Sequence, residues 1–208
     1  LSKYLVCPFA HTIGLHEALT HSCNAYFAQL AVRLGAQPVI DAATQLGIAL
    51  TPQARTLERV RETLPQVGYG QADVLASPLR MARAAGAVGN NGLLRDVTWR
   101  ADQGENRAQI FLEPAAAAML GHDMREVVQS GTGRMLKDHA GRIAGKTGTA
   151  EVLNKPSHGW FIGYAPFGNA TRTIAFAVII ENAGYGGATA APAAGAIVSA
   201  AMAAGLVK

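Results

Sequence analysis

Hydrophobic spacing divides the chain into a helical first part and an extended last part. Leu15, Leu19, Cys23, Phe27, Leu30 and Leu34 recur at helical intervals, and Gly35 is placed to cap the stretch. The polar triplet Ser22-Cys23-Asn24 interrupts that stripe. A short helix is predicted over Val39–Leu46, begun near Ala36-Gln37-Pro38 and stopped at Gly47. Thr51–Gln66 reads as polar and irregular, and Gly68-Tyr69-Gly70-Gln71 as a turn. Ser77-Pro78 opens a helix through Val88, with proline in the first turn where its missing N–H is harmless, and Gly89-Asn90-Asn91-Gly92 ends it. Pro114–Val128 predicts another helix, closed by Ser130-Gly131-Thr132-Gly133.

The period then changes. Arg142–Val152, Gly159–Tyr164 and Thr173–Ile180 read as three strands, joined by turn chemistry at Asn154-Lys155-Pro156 and Gly168-Asn169. Short connections predict an antiparallel meander, and the almost continuously apolar Thr173–Ile180 predicts a strand covered on both faces. Ala190–Val207 is rich in Ala and Gly and contains Pro192, which suits a helix packed on a sheet better than a bilayer span of about 20 strongly apolar residues. The expected class is α+β, an antiparallel sheet flanked by helices. Its helical region covers 1–135, and the three-stranded meander with its closing helix covers 136–208.

Composition narrows the function. The 208 residues are 50% hydrophobic and 15% charged, against a globular norm of about a quarter charged, so the chain buries a core. The net charge of +4 comes from scattered arginines, and only 6% of the chain is aromatic. That is no footprint for nucleic acid, which demands clustered basic side chains with interleaved aromatics. Cys7 and Cys23 are too few for a disulfide framework and lack zinc-ligand spacing. His11, His16 and His21 recur every five residues, off any single helix face, and read as surface or capping groups. No apolar run with a small-residue cleavage site follows Leu1, so no signal peptide is read at the start.

The chemistry concentrates at Lys146-Thr147-Gly148-Thr149, inside the first predicted strand. Glycine weakens a strand interior and marks a place where a ligand or another backbone approaches. Beside Gly148, an ammonium and two hydroxyls are suited to a carboxylate, and strand N–H groups to polarising a carbonyl. The bland alternative is an edge strand with a solvated lysine. A phosphate loop is excluded on spacing: Gly145-Lys146-Thr147 matches the end of that motif, but its first glycine would fall at Ala140. Ser22-Cys23-Asn24, taken alone, reads as helix capping. With the Lys-Thr-Gly strand it reads as a proton-relaying hydroxyl and an amide that hydrogen-bonds a peptide.

The two motifs in this order resemble the second and third signatures of penicillin-binding proteins and serine β-lactamases. Leu15-His16-Glu17-Ala18-Leu19 with Ser22–Phe27 is similar to the SxN segment of class B transpeptidases. So are Gly70-Gln71 with Ser77–Ala82, Gly131-Thr132-Gly133, and Trp160–Tyr164 after the Lys-Thr-Gly strand. The resemblance implies the penicillin-binding fold and an acyl-serine D,D-transpeptidase that cross-links peptidoglycan stem peptides ending in D-Ala-D-Ala and is acylated by β-lactams. It implies Ser22 and Lys146 in the proton network, Asn24 on the substrate amide, and Thr147 and Thr149 on the terminal carboxylate. The Thr149 N–H becomes one oxyanion donor, and Gly148 lets the peptide lie along the strand. It implies no cofactor or metal, and a place outside the cytoplasmic membrane with a membrane anchor only in the full-length protein.

One signature is missing. No serine or threonine of the chain has lysine three residues later, so there is no SxxK nucleophile. The chain therefore resembles the C-terminal part of a transpeptidase domain, without its N-terminal strands and nucleophile helix, and is expected to be inactive alone. The unpaired apolar strand Thr173–Ile180 then predicts an edge-strand dimer or poor solubility. The alternatives are a non-catalytic module binding peptidoglycan or a partner protein, and a β-lactam-hydrolysing or sensing relative.

Overall fold

The computed structural model describes residue 7 and residues 12–50, 57–100 and 107–208. These form two compact units, Leu1–Ser77 and Pro78–Lys208.

The first unit holds α1 (Leu15–Thr20), α2 (Asn24–Leu34), α3 (Ala36–Leu46), β1 (Ala49–Leu50), α4 (Leu57–Val67) and β2 (Val74–Leu75), with β1 and β2 antiparallel. Gly35 ends α2 with φ +84° and donates its N–H to the Ala31 carbonyl, as its position in the sequence predicts. Helix α4 corrects the irregular reading of Thr51–Gln66, whose first six positions lie outside the described residues. Leu57, Val60, Leu64 and Val67 form a stripe at intervals of three and four, masked in the sequence by Glu58, Arg59, Arg61 and Glu62 on the solvent side. Val60 and Leu64 pack with Ala31 and Ala36 in a small core. Gly68 follows α4 where an added Cβ would lie 2.6 Å from both the Phe27 carbonyl oxygen and Ala31 Cβ, so the chain crosses α2 at backbone distance.

The second unit holds α5 (Pro78–Gly89), β3 (Leu93–Arg95), β4 (Ala108–Ile110), α6 (Pro114–Gln129), a 3₁₀ turn (Arg134–Leu136), β5 (Ala144–Val152), β6 (Lys155–Ala165), β7 (Ile174–Ile180) and α7 (Ala190–Ala203). Strands β5, β6 and β7 form the predicted antiparallel meander in that spatial order. The β3–β4 hairpin is an addition, too short to leave a periodic signal. The β5–β6 turn is Leu153-Asn154, tighter than Asn154–Pro156, and Asn154 adopts φ +57°. Pro156 and Ser157 stand opposite the single residue Glu151, a bulge that admits a proline into the strand.

Alternation along the strands sorts the two faces. Phe161, Phe176 and Ala165, with Val178 and Ile174, point to the face covered by Ala190, Ala191, Ala194 and Val198 of α7, together with Val128, Leu136 and Ile143. Tyr164 and Ala175 point to the other face, where α5 presents Gly86 and Gly89 at contact distance. The apolar β7 is thus covered on both faces by helices. Among the described residues, the outer edges of β5 and β7 carry no partner strand.

Candidate active site

Ser22 and Asn24 sit in the first unit, around a tight break between α1 and α2. The Ser22 N–H donates to the Leu19 carbonyl at 3.2 Å and the Cys23 N–H to the Ala18 carbonyl at 2.8 Å, the paired bonds of a Schellman ending. The left-handed position of that ending, normally glycine, is Ser22 with φ +57°. A side chain there costs about 1–2 kcal/mol, and such strain gathers at functional sites. The N-cap of α2 is Cys23, whose sulfur accepts the Tyr26 N–H at 3.3 Å, rather than Ser22 or Asn24. Asn24 is the first residue of α2 and half-buried. Cys23 is buried and disulfide-bonded to Cys7, with a Cα–Cα distance of 5.2 Å, a pairing the cysteine count did not foresee. The bond anchors the residue between Ser22 and Asn24. His16 and His21 are exposed, as read, and His11 lies outside the described residues.

Lys146, Thr147, Gly148 and Thr149 lie consecutively on β5, one edge of which pairs with β6. Lys146 and Gly148 share the face of Ile162 and Trp160, while Thr147 and Thr149 share the opposite face with Phe161. The strand therefore presents an amine on one side and two hydroxyls on the other. The Lys146 Nζ donates to the Thr147 carbonyl at 3.0 Å, and burial lowers its pKa from 10.5 to about 8. Lys146 is only partly exposed, unlike the fully solvated lysine of the bland reading. An amine with its pKa near 8 exchanges a proton in either direction close to neutral pH. A Cβ at Gly148 would lie 3.0 Å from Trp160 Cβ, so cross-strand packing gives the glycine a reason of its own beside backbone access.

Thr147 is buried, and its Oγ1 lies 2.5 Å from Thr132 Oγ1. Thr132 belongs to the Gly131–Gly133 turn after α6, a pattern visible in the sequence with no chemical role attached. Its separation of 15 residues from Thr147 left no local signal. Arg125 of α6 fixes the entry to β5: its Nη1 donates to the Ile143 carbonyl at 2.7 Å and its Nη2 to the Lys137 carbonyl at 3.4 Å. Burial, and then the nearby Arg142, push its guanidinium below the ordinary arginine range. Among the described residues, no group of three or more His, Cys, Asp or Glu side chains is placed to hold a metal. No helix among them is long and apolar enough to cross a membrane.

The penicillin-binding protein transpeptidase domain model matches residues 8–199. The peptidoglycan D,D-transpeptidase PbpA of Mycobacterium tuberculosis is 31% identical over 227 residues, covering 94% of this chain and 45% of that protein. The peptidoglycan D,D-transpeptidase MrdA of Acinetobacter baumannii is 29% identical over 86% of this chain and 33% of its own length. Among solved structures, the imipenem acyl-enzyme complex of penicillin-binding protein A from M. tuberculosis matches with a TM-score of 0.74 and 28% identity, over 92% of this chain and 48% of that one. The chain thus spans about half or less of the length of the curated relatives it matches. A family model covering nearly the whole sequence, a curated relative 31% identical over 94% of this chain, and an α+β fold matching a solved transpeptidase structure agree: the chain belongs to the penicillin-binding protein transpeptidase domain family, with a class B-like pattern.

Proposed function

We propose that these residues supply the substrate-holding part of a peptidoglycan D,D-transpeptidase whose nucleophilic serine lies outside the 208 residues. The observation that carries the reading is the split of β5 into a buried amine of lowered pKa on one face and paired threonines on the other. In this reading the terminal carboxylate of a stem peptide ending in D-Ala-D-Ala rests on the Thr147 and Thr149 hydroxyls, and Asn24 hydrogen-bonds the substrate amide. The peptide pairs along the free edge of β5, where Gly148 keeps its approach open. The serine oxygen then attacks the penultimate carbonyl, the terminal D-Ala leaves as the amine, and an acyl-enzyme forms. A neighbouring stem amine takes the acyl group and releases the serine. Ser22 and Lys146 carry the proton between these steps, and the Thr149 N–H is one of the two donors to the oxyanion. A β-lactam enters the same site and stays attached. We place the reaction outside the cytoplasmic membrane, and it calls for no metal or cofactor.

The direct test is release of D-Ala from a pentapeptide donor by the full-length protein. Wild type releases D-Ala, and Lys146→Ala and Thr149→Val lose most of the activity. Full-length protein that binds stem peptide but releases no D-Ala identifies a non-catalytic module instead. For the 208 residues handled alone we also propose pairing through the open edge of β7, checked by oligomeric state in solution.

A further inference from the structure

We propose that Thr132 is a positioning residue for the acyl donor's carboxylate, acting through Thr147. The inference rests on the transpeptidase reading and adds a residue to it. A hydroxyl has one proton and two lone pairs. At 2.5 Å one of the two threonines must donate to the other. If Thr147 donated, it would turn only lone pairs toward an incoming carboxylate and repel it. With Thr132 as donor, Thr147 keeps its own proton for the carboxylate, and the bond it accepts makes it the stronger donor.

Thr132 is held where it can do this. The Ser130 N–H donates to the Glu126 carbonyl at 2.9 Å and the Gly133 N–H to the Val127 carbonyl at 2.9 Å, fixing the turn to the end of α6. On its other side an added Cβ at Gly187 would lie 2.6 Å from the Thr132 carbonyl oxygen, so the β7–α7 loop closes against it. A Cβ at Gly133 would lie 3.3 Å from the Phe161 ring, which seats the turn on the threonine face of the sheet. Thr132 itself remains exposed, so valine in its place removes the hydroxyl without opening a cavity.

The experiment is a double-mutant cycle on the full-length protein, reading the second-order rate of acylation by benzylpenicillin. Thr132→Val is expected to lower the rate about five- to tenfold, the worth of one hydrogen bond, and Thr132→Ser to stay within about twofold of wild type. On a Thr147→Val background, Thr132→Val is expected to change the rate less than about twofold, because its partner is gone. Equal losses in both backgrounds, or no loss from Thr132→Val alone, overturn the proposal and leave the transpeptidase reading standing. A wild-type protein that is not acylated removes both.

Discussion

Replacing Lys146 by methionine should make the protein more stable at neutral pH, although the proposed function places that side chain in the proton network. The gap between the ordinary lysine pKa of 10.5 and about 8 corresponds to about 3 kcal/mol, at about 1.4 kcal/mol per pH unit. Below pH 8 the lysine is protonated in both the folded and unfolded states, and folding pays that whole amount to bury the charge. Between pH 8 and 10.5 the unfolded state binds more protons than the folded one, so wild-type stability rises with pH. Methionine has no charge to bury but gives up the bond from Nζ to the Thr147 carbonyl, worth about 1 kcal/mol. Lys146→Met should therefore be about 2 kcal/mol more stable at pH 7, about 4–8 °C in melting temperature, with the advantage shrinking steadily from pH 8 to pH 10.5. Urea denaturation of both proteins from pH 6 to 11 reads the difference, in which groups common to the two cancel. A difference that stays flat across that range, or a methionine variant less stable at pH 7, would refute the burial argument.

Other perturbations test the frame around the site. Phe161 is fully buried and stacked on Phe176 with ring centroids 6.3 Å apart, so Phe161→Ala should cost about 3–5 kcal/mol in chemical denaturation. An added Cβ at Gly145 would lie 2.5 Å from the Phe161 ring and 2.6 Å from the Ile162 carbonyl oxygen, so Gly145→Ala should lose about 1–3 kcal/mol, seen as a lower melting temperature. The Cys7–Cys23 bond closes a loop of 16 residues in separation, so Cys7→Ala should lower unfolding free energy by about 3 kcal/mol in the loop-entropy account, and added dithiol should move wild type but not the variant.

The legible parts of the fold were those with a long period or a clear stop. The meander followed from strand alternation and turn residues, and α6 from its opening Pro114 and long span. Helix α4 was hidden because only four of its eleven residues face the core and the rest are polar or charged apart from Pro65, which itself argues against a helix. The two short ladders escaped because two- and three-residue strands have no period to detect. At the site, the Lys-Thr-Gly strand was readable because a lysine and a glycine are out of place in a buried strand. Thr132 was not, because its role depends on a contact across 15 residues made by a turn after a helix. Nor was the left-handed Ser22, since a serine at a helix break looks like a cap until the cap proves to be a sulfur. The cysteine count missed the Cys7–Cys23 bond for the same reason: the fold brings together residues the sequence holds apart.

The central claim is that these residues hold the acyl donor while a serine outside them performs the attack. The measurement that tests it most directly is peptide mapping of the full-length protein after reaction with benzylpenicillin. A single adduct on a serine of an SxxK segment outside the 208 residues, lost or strongly slowed in Lys146→Ala, is the predicted result. An adduct on Ser22 or any other residue of this chain, or no adduct at all, would contradict it.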